Sequence, residues 1–342
     1  MRFHIRIFLV FISFTSIKMG YSQDINFSQF YEMPLLRNPA LAGIFAGDFR
    51  VTAAYRNQWQ SVTTPYQTQA LGIEFKKSLG ENSDDFLTLG LQITNDKAGD
   101  SKLSKTQVLP VLNFHKSING DRDTYISAGI MAGAVQQRFD PTKLTFDDQY
   151  TGGTFDMTNP TKQIFDQTNV SYLDMAAGLS FSSVIGSDIR YYVGLGLFHF
   201  TRPKVAFTPA NDVTLNQKWV VNMGVSAPVS DYDRVILYGD YFTQGGNRLI
   251  QGGFLYSHDF VVYDDDDKIS MAAGGFYRWN DAIIPVVRFD YYNLGIGVSY
   301  DVNVSKLSKA SQLRGGVEVT LSYKTYLNIV NTSLNKVRCV QF

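Results

Sequence analysis

The sequence predicts an all-β fold: a transmembrane β-barrel of the outer-membrane kind, with about 14 antiparallel strands of roughly nine to fifteen residues behind a short irregular or helical N-terminal segment. Three observations lead there. From Asp48 onward apolar and polar residues alternate with a period of two, the period of a strand. The connections between these segments alternate between long and short, as in membrane barrels with short periplasmic turns and longer outer loops. The composition fits as well: over 342 residues only 18% are charged, while 20 Tyr and 25 Phe are present.

The formal net charge is zero, so there is no basic footprint for nucleic acid, and none is expected as a partner. At the N-terminus Arg2 and Arg6 precede the apolar run Ile7 to Ile17, followed by Lys18, Met19, Gly20 and Ser22. This reads as a secretory signal peptide cleaved before Gln23. The run is shorter than the roughly 20 residues of a membrane-spanning helix. No later segment is apolar enough for such a helix, so an exported chain reaches a membrane as a barrel or on its surface. The expected organisation is a signal peptide at 1–22, a lead-in and candidate plug at 23–47, the barrel at 48–324 and a periplasmic tail at 325–342.

Residues 24–43 mix apolar and polar side chains without alternating, and contain two prolines. Ile25, Phe27, Phe30, Tyr31, Met33, Leu35 and Leu36 need cover from water. Either the mouth of the barrel or a partner protein supplies it. In the first strand Phe49, Val51, Ala53, Tyr55 and Trp59 face one way, and Arg50, Thr52, Ala54, Arg56 and Gln58 the other. Strands follow at about 66–77, 86–95, 104–116 and 123–137, the last with Ile126, Ala128, Ile130, Ala132 and Ala134 on one face. A long polar stretch, 139–167, precedes the cleanest alternation, Leu173, Met175, Ala177, Leu179 and Phe181 against Asp174, Gly178, Ser180 and Ser182. The seventh strand covers about 190–200, and a second long loop runs from 201 to 215. Trp219, Val221, Met223 and Val225 mark the eighth. The remaining six cover about 234–243, 248–257, 268–278, 283–291, 294–301 and 315–323. Both long loops then fall on the outside if the N-terminus is periplasmic.

Little in the sequence points to chemistry. Cys339 is the only cysteine, which excludes an internal disulfide or a cysteine-built zinc site. The Asp264–Asp267 run lacks the spaced ligands and turn glycine of a calcium loop and reads as a solvated turn. His115, His199 and His258 accompany no G-x-S-x-G elbow and no H-E-x-x-H pattern, so neither catalysis, metal nor cofactor is expected. Arg50, Arg56, Glu74, Asp174, Asp301 and Glu318 fall on inward faces, where they can line a conducting pore or pair inside a filled lumen. Pairing is the expectation.

Several short motifs recur in order. Gln23-Asp24-Ile25-Asn26-Phe27-Ser28-Gln29-Phe30 resembles QDxxFSQY, with Phe30 for Tyr. Asn38-Pro39-Ala40-Leu41-Ala42-Gly43 matches NPAxAG, and Tyr55-Arg56-Asn57-Gln58-Trp59 matches YRxQW. Ser299-Tyr300-Asp301-Val302-Asn303 and Gly315-Gly316-Val317-Glu318 look like SYDxN and GGxE. The ending Cys339-Val340-Gln341-Phe342 is similar to CPRF, departing at Val340 and Gln341. In these motifs the mature chain resembles the PorP/SprF family of the type IX secretion and gliding machinery of Bacteroidetes-type bacteria. The resemblance implies an outer-membrane accessory, with other type IX components and a secreted surface protein, in the gliding branch a large adhesin, as partners alongside outer-membrane lipid. It brings no catalytic residues. It marks Phe27, Ser28, Gln29, Asn38, Pro39, Ala40, Gly43, Arg56, Gln58 and Trp59 as the candidate plug or partner contacts. A general diffusion channel for small solutes is the alternative function.

Overall fold

A computed structural model describes residues 24–58, 64–79, 84–119, 123–186, 188–208, 212–262, 268–305 and 314–327. The expected signal peptide, Gln23, Trp59, the Asp264–Asp267 run and Cys339 with most of the tail lie outside the described residues.

Fourteen strands close into one antiparallel barrel. They are β1 (Phe49–Gln58), β2 (Tyr66–Ser78), β3 (Phe86–Ala98), β4 (Leu103–Asn119), β5 (Thr124–Arg138), β6 (Asn169–Ile185) and β7 (Ile189–Phe198). The second half comprises β8 (Lys218–Pro228), β9 (Asp233–Gln244), β10 (Asn247–Val262), β11 (Lys268–Arg278), β12 (Ala282–Tyr291), β13 (Leu294–Asn303) and β14 (Arg314–Thr325). Each strand pairs with its sequence neighbours, and β1 pairs with β14 from Phe49↔Thr325 to Gln58↔Gly316. Closure leaves no edge strand with unpaired backbone groups, the condition for crossing hydrocarbon.

Some strands run longer than their alternation suggests. β4 and β6 reach Asn119 and Asn169, because backbone pairing continues where side chains turn polar beyond the apolar band, and β10 pairs on to Val262 past a register irregularity between Asp259 and Val261. β7 is shorter than expected and ends at Phe198, since His199 adopts φ 56° and leaves the extended region. The long polar stretch is not featureless: Tyr150–Thr151 pairs with Thr154–Phe155 around Gly152 and Gly153, both at positive φ.

The outward faces are apolar and exposed: Leu89, Ile130, Leu179, Leu195, Trp219 and Phe254 are examples, with Leu179 at 57%. Tyr66, Tyr277, Trp279, Tyr291 and Tyr323 are exposed near strand ends, where an interfacial girdle belongs. No helix among the described residues is long and apolar enough to cross a membrane; the crossing elements are strands.

The lumen is not empty. Residues 24–47 form two 3-10 turns (Phe30–Glu32 and Pro39–Leu41) and one helical turn, α1 (Pro34–Arg37). Pro34 and Pro39 sit at the first helical position, where the missing N–H costs nothing. Asp24 lies among residues at the long-loop ends of β4, β7 and β8, and Phe45 among those at the short-turn end of β2. The segment thus runs the length of the lumen, and does not merely cover one mouth. The barrel answers it with an interior that is partly apolar: Leu109, Val111, Met131, Val135 and Val220 pack around Leu35 and Ala42.

Candidate functional site

The motifs separated in sequence meet inside the barrel, at two places. At the first, Asp301 stands at an irregularity of β13, where the register with β14 shifts between Tyr300 and Val302. Gly315 faces this irregularity; a side chain there would collide with the Asp301 carbonyl. Asp301 accepts hydrogen bonds from Ser28 Oγ (2.5 Å), Arg56 Nη2 (2.6 Å) and Arg278 Nη2 (2.7 Å). On the neighbouring strand β14, opposite Ser299, Glu318 accepts from the backbone N–H groups of Ser28 (2.7 Å) and Gln29 (2.6 Å). Gln29 Oε1 accepts from Thr320 Oγ1 (2.8 Å) and occupies space that a side chain at Gly297 would fill. Phe27 packs with Met33, Ala54 and Ala70. Ser28 and Gln29, Arg56, Asp301 and Glu318, drawn from four separate motifs, therefore form one buried polar cluster. Its mixed charges pair, which keeps buried ions tolerable.

The second meeting point belongs to Asn38-Pro39-Ala40-Leu41-Ala42-Gly43. Asn38 Oδ1 accepts from Ala40 N (2.9 Å), and its amide lies against Gly178, Gly194 and Gly196. A Cβ at Gly178 would collide with Asn38; one at Gly129 would lie 2.6 Å from the Pro39 carbonyl carbon. The barrel glycines are the socket of this motif rather than spare room. Asn113 donates to the carbonyls of Ala40 (2.9 Å) and Ala42 (2.8 Å), and Ser180 to that of Ala40 (2.9 Å). Gly43, at φ 87°, donates its N–H to Glu74 Oε2 (2.8 Å), and a side chain there would strike Thr88. This explains the motif's final glycine twice over.

The arginines pair with barrel carboxylates rather than with Asp24 or Glu32: Arg50 with Glu74 (2.6 Å) and Arg56 with Asp301. Glu32 meets Arg288 instead. Gln58 is half-buried beside Gly316 and holds no place in either cluster.

Sequence reading missed two anchors. Arg37 donates to Asp240 through Nε (2.9 Å) and Nη2 (2.6 Å) and to the Tyr192 hydroxyl (2.7 Å), while Phe30 and Tyr31 pack against Phe276 and Tyr238. The other is Asp24, which meets His199 Nε2 (2.6 Å), Lys105 (3.1 Å) and Lys218 (3.7 Å), with His199 Nδ1 on Asp174 (2.8 Å). Burial works against the charge on Asp24, but Lys105, His199 and Lys218 outweigh it and hold the carboxyl well below its ordinary range. Burial likewise opposes protonation of His199, but the two carboxylates prevail and raise it to about 9. The signal for both anchors was a lone charge in a segment of mixed side chains, with no periodicity to say what it faces.

Ser127 Oγ lies 2.6 Å from His115 Nδ1, the spacing of a nucleophile and its base. His115 Nε2 is held by the Ala42 carbonyl (2.7 Å), and both side chains are buried under the luminal segment. They serve to hold the segment. An open space of about 250 Å³ lies at the short-turn end, between Tyr31, Arg37, Arg190, Arg234, Arg288 and Lys324.

A family model described as type IX secretion system membrane protein PorP/SprF matches residues 19–323. No curated protein sequence matches the chain. Among solved structures, the CymD monoaromatic hydrocarbon channel is similar at 10% identity, over 91% of this chain and 96% of that one, with TM-score 0.45. The translocator domain of the autotransporter NalP from Neisseria meningitidis shares 10% identity over 82% and 89%, with TM-score 0.40. The toluene transporter TodX of P. putida shares 9% over 85% and 93%, with TM-score 0.43.

Proposed function

The chain belongs to the PorP/SprF family of type IX secretion system membrane proteins, and from that premise we propose that it is an outer-membrane accessory of the type IX secretion or gliding machinery. In this reading it supports the secretion or surface attachment of a large adhesin-like cargo. One observation carries the choice over a diffusion channel: the family motifs are spent on fixing residues 24–46 inside the barrel, through Asp301, Glu318 and the glycine socket. A porin keeps its lumen wet and open. Here the interior groups are consumed in holding the chain's own segment. The export signal is removed and the barrel contacts outer-membrane lipid through its apolar face. Other type IX components are its partners. We assign it no catalytic role.

The test is loss of the protein from cells that carry it. The proposal expects one or more large surface proteins to disappear from the cell surface and accumulate inside or in the medium, while uptake of small solutes is unchanged. An unaltered surface proteome with slowed solute uptake would instead establish the channel. Affinity purification from native membranes should bring down the surface protein and periplasmic components together.

A further inference from the structure

Among the described residues, every strand pairing of the barrel but one joins sequence neighbours. The exception is the seam, where β1 meets β14 from the other end of the chain. No turn connects these two strands, so no turn sets their register. The outward faces do not set it either. Val51, Ala53 and Tyr55 lie opposite Tyr323, Leu321 and Val319, and a slip of two residues again puts apolar against apolar. Inside, the strands' own charges oppose one another. Arg56 faces Glu318, which favours the register, but Arg50 faces Lys324, which does not.

We propose that residues 26–33 of the luminal segment are a closing clamp, which sets the register in which β1 and β14 join. They lie across the seam from inside. On one side Glu318 of β14 accepts from the N–H groups of Ser28 and Gln29, Thr320 donates to Gln29 Oε1, and Ser28 Oγ donates to Asp301 of β13. On the other side Arg56 of β1 donates to the Asn26 carbonyl, Phe27 packs against Ala54, and Met33 Sδ lies 3.9 Å from Thr52 Oγ1. Ser28, Gln29 and Glu318 are buried, so a bond lost there is not replaced by water. A slip of two residues carries Glu318 and Thr320 about 7 Å along β1, out of hydrogen-bond reach of a segment held by Arg56. Only one register therefore satisfies both sides. The segment precedes β1 directly in the chain, so it is at hand when β1 meets β14. The bonds of Arg37 go elsewhere, to Tyr192 of β7 and Asp240 of β9, across the ring from the seam.

The test reads the register from disulfides on the outward face, in native outer membranes and a Cys339→Ser background. Ala53→Cys with Leu321→Cys reports the observed register. Ala53→Cys with Val319→Cys, or with Tyr323→Cys, reports a slip of two residues in either direction. Oxidation with copper phenanthroline joins only directly opposed positions, because a disulfide needs Cβ atoms within about 4.5 Å and diagonal neighbours lie about 7 Å apart. With the segment intact, only the first pair should join. Ser28→Ala with Gln29→Ala removes side-chain bonds to β13 and β14 and strands no cation. It should raise the ratio of slipped to observed disulfide about tenfold or more. If that variant yields no heat-modifiable barrel, Gln29→Ala alone takes its place and should raise the ratio in the same direction. Arg37→Met with Asp240→Leu, which loosens the segment away from the seam, should leave the ratio unchanged. An unchanged ratio in the Ser28 and Gln29 variants would overturn the proposal. So would an equal rise in the Arg37 and Asp240 variant, which would mean that filling the lumen, and not the clamp, governs closure.

Discussion

Removing the charge of Asp240 should unlock the luminal segment without opening the barrel. The Arg37 and Asp240 side chains are 5% and 3% exposed, and the guanidinium makes two short bonds to the carboxylate and one to Tyr192. Asp240→Leu strands a guanidinium in a dry wall, at a cost of roughly 3–5 kcal/mol for a broken buried pair. At about 1.4 kcal/mol per tenfold, the population with the segment displaced should rise roughly a hundred- to a few-thousand-fold. Replacing both partners, Arg37→Met with Asp240→Leu, removes the stranded charge, and apolar replacement of a buried pair is often neutral or stabilising. The double variant should therefore return most of the way to wild type. The assay is the rate at which a water-soluble thiol reagent labels Ala40→Cys, a position with no exposure, in a Cys339→Ser background. Retention of heat-modifiable migration shows that the barrel stands. Equal labelling in the single and double variants, or rapid labelling with the pair intact, would refute the reasoning.

Three further outcomes are expected. His199 is raised from 6.5 to about 9, so its contribution is complete below pH 6.5 and lost as the pH climbs through 9, on the order of 3 kcal/mol in all. Asp24 is depressed, so its share is present above the ordinary carboxylate range and lost only in strong acid. Labelling of a cysteine at Ile25 should rise above pH 9 by more than the thiolate-driven rise of an exposed cysteine at Thr154, and His199→Gln should remove that excess; equal pH profiles at the two positions would count against the latch. On the barrel wall, Leu179→Arg should cost roughly 2–4 kcal/mol and lower the yield of folded barrel. Ser180→Arg should leave the barrel assembled but expel Ala40, and equal loss of folded barrel in both would contradict the assigned faces. For orientation, cysteines at Thr154 and Asp212 should react with an impermeant reagent on intact cells and one at Asn119 should not; the reverse pattern would invert the molecule.

The barrel was legible because a closed sheet writes its two faces into the sequence at every second residue. Leu173 to Phe181 and Val317 to Leu321 point outward as their alternation requires. The two long loops, both after odd strands, supported an even strand count. Boundaries were less legible where ladder pairing outruns the apolar band, as at Asn169 and Asn119, or where one backbone angle ends a strand, as at His199. The lumen was legible only in part. Ser180 and Gly178 were visible as inward positions, but not that Ser180 donates to Ala40 or that Gly178 is a socket. A missing side chain does not say what occupies its place. Arg56 and Glu318 were visible as inward charges, but not that Arg56 donates to the Asn26 carbonyl or that Glu318 receives Ser28 and Gln29 from nearly the whole chain away. Motif order carried the family; only the fold shows that four motifs are one cluster.

The central claim is that residues 24–46 fill the barrel as it stands in the membrane. A pair of cysteines tests it most directly, Ala40→Cys with Ser180→Cys in a Cys339→Ser background, where Ser180 Oγ and the Ala40 carbonyl are 2.9 Å apart. Treated in native outer membranes with a short thiol crosslinker, the pair should join and change the migration of the heat-denatured chain. Ala40→Cys with the outward Leu179→Cys should not. Absence of the crosslink in folded barrel, with both thiols free to react, would place the segment outside the lumen and contradict the account.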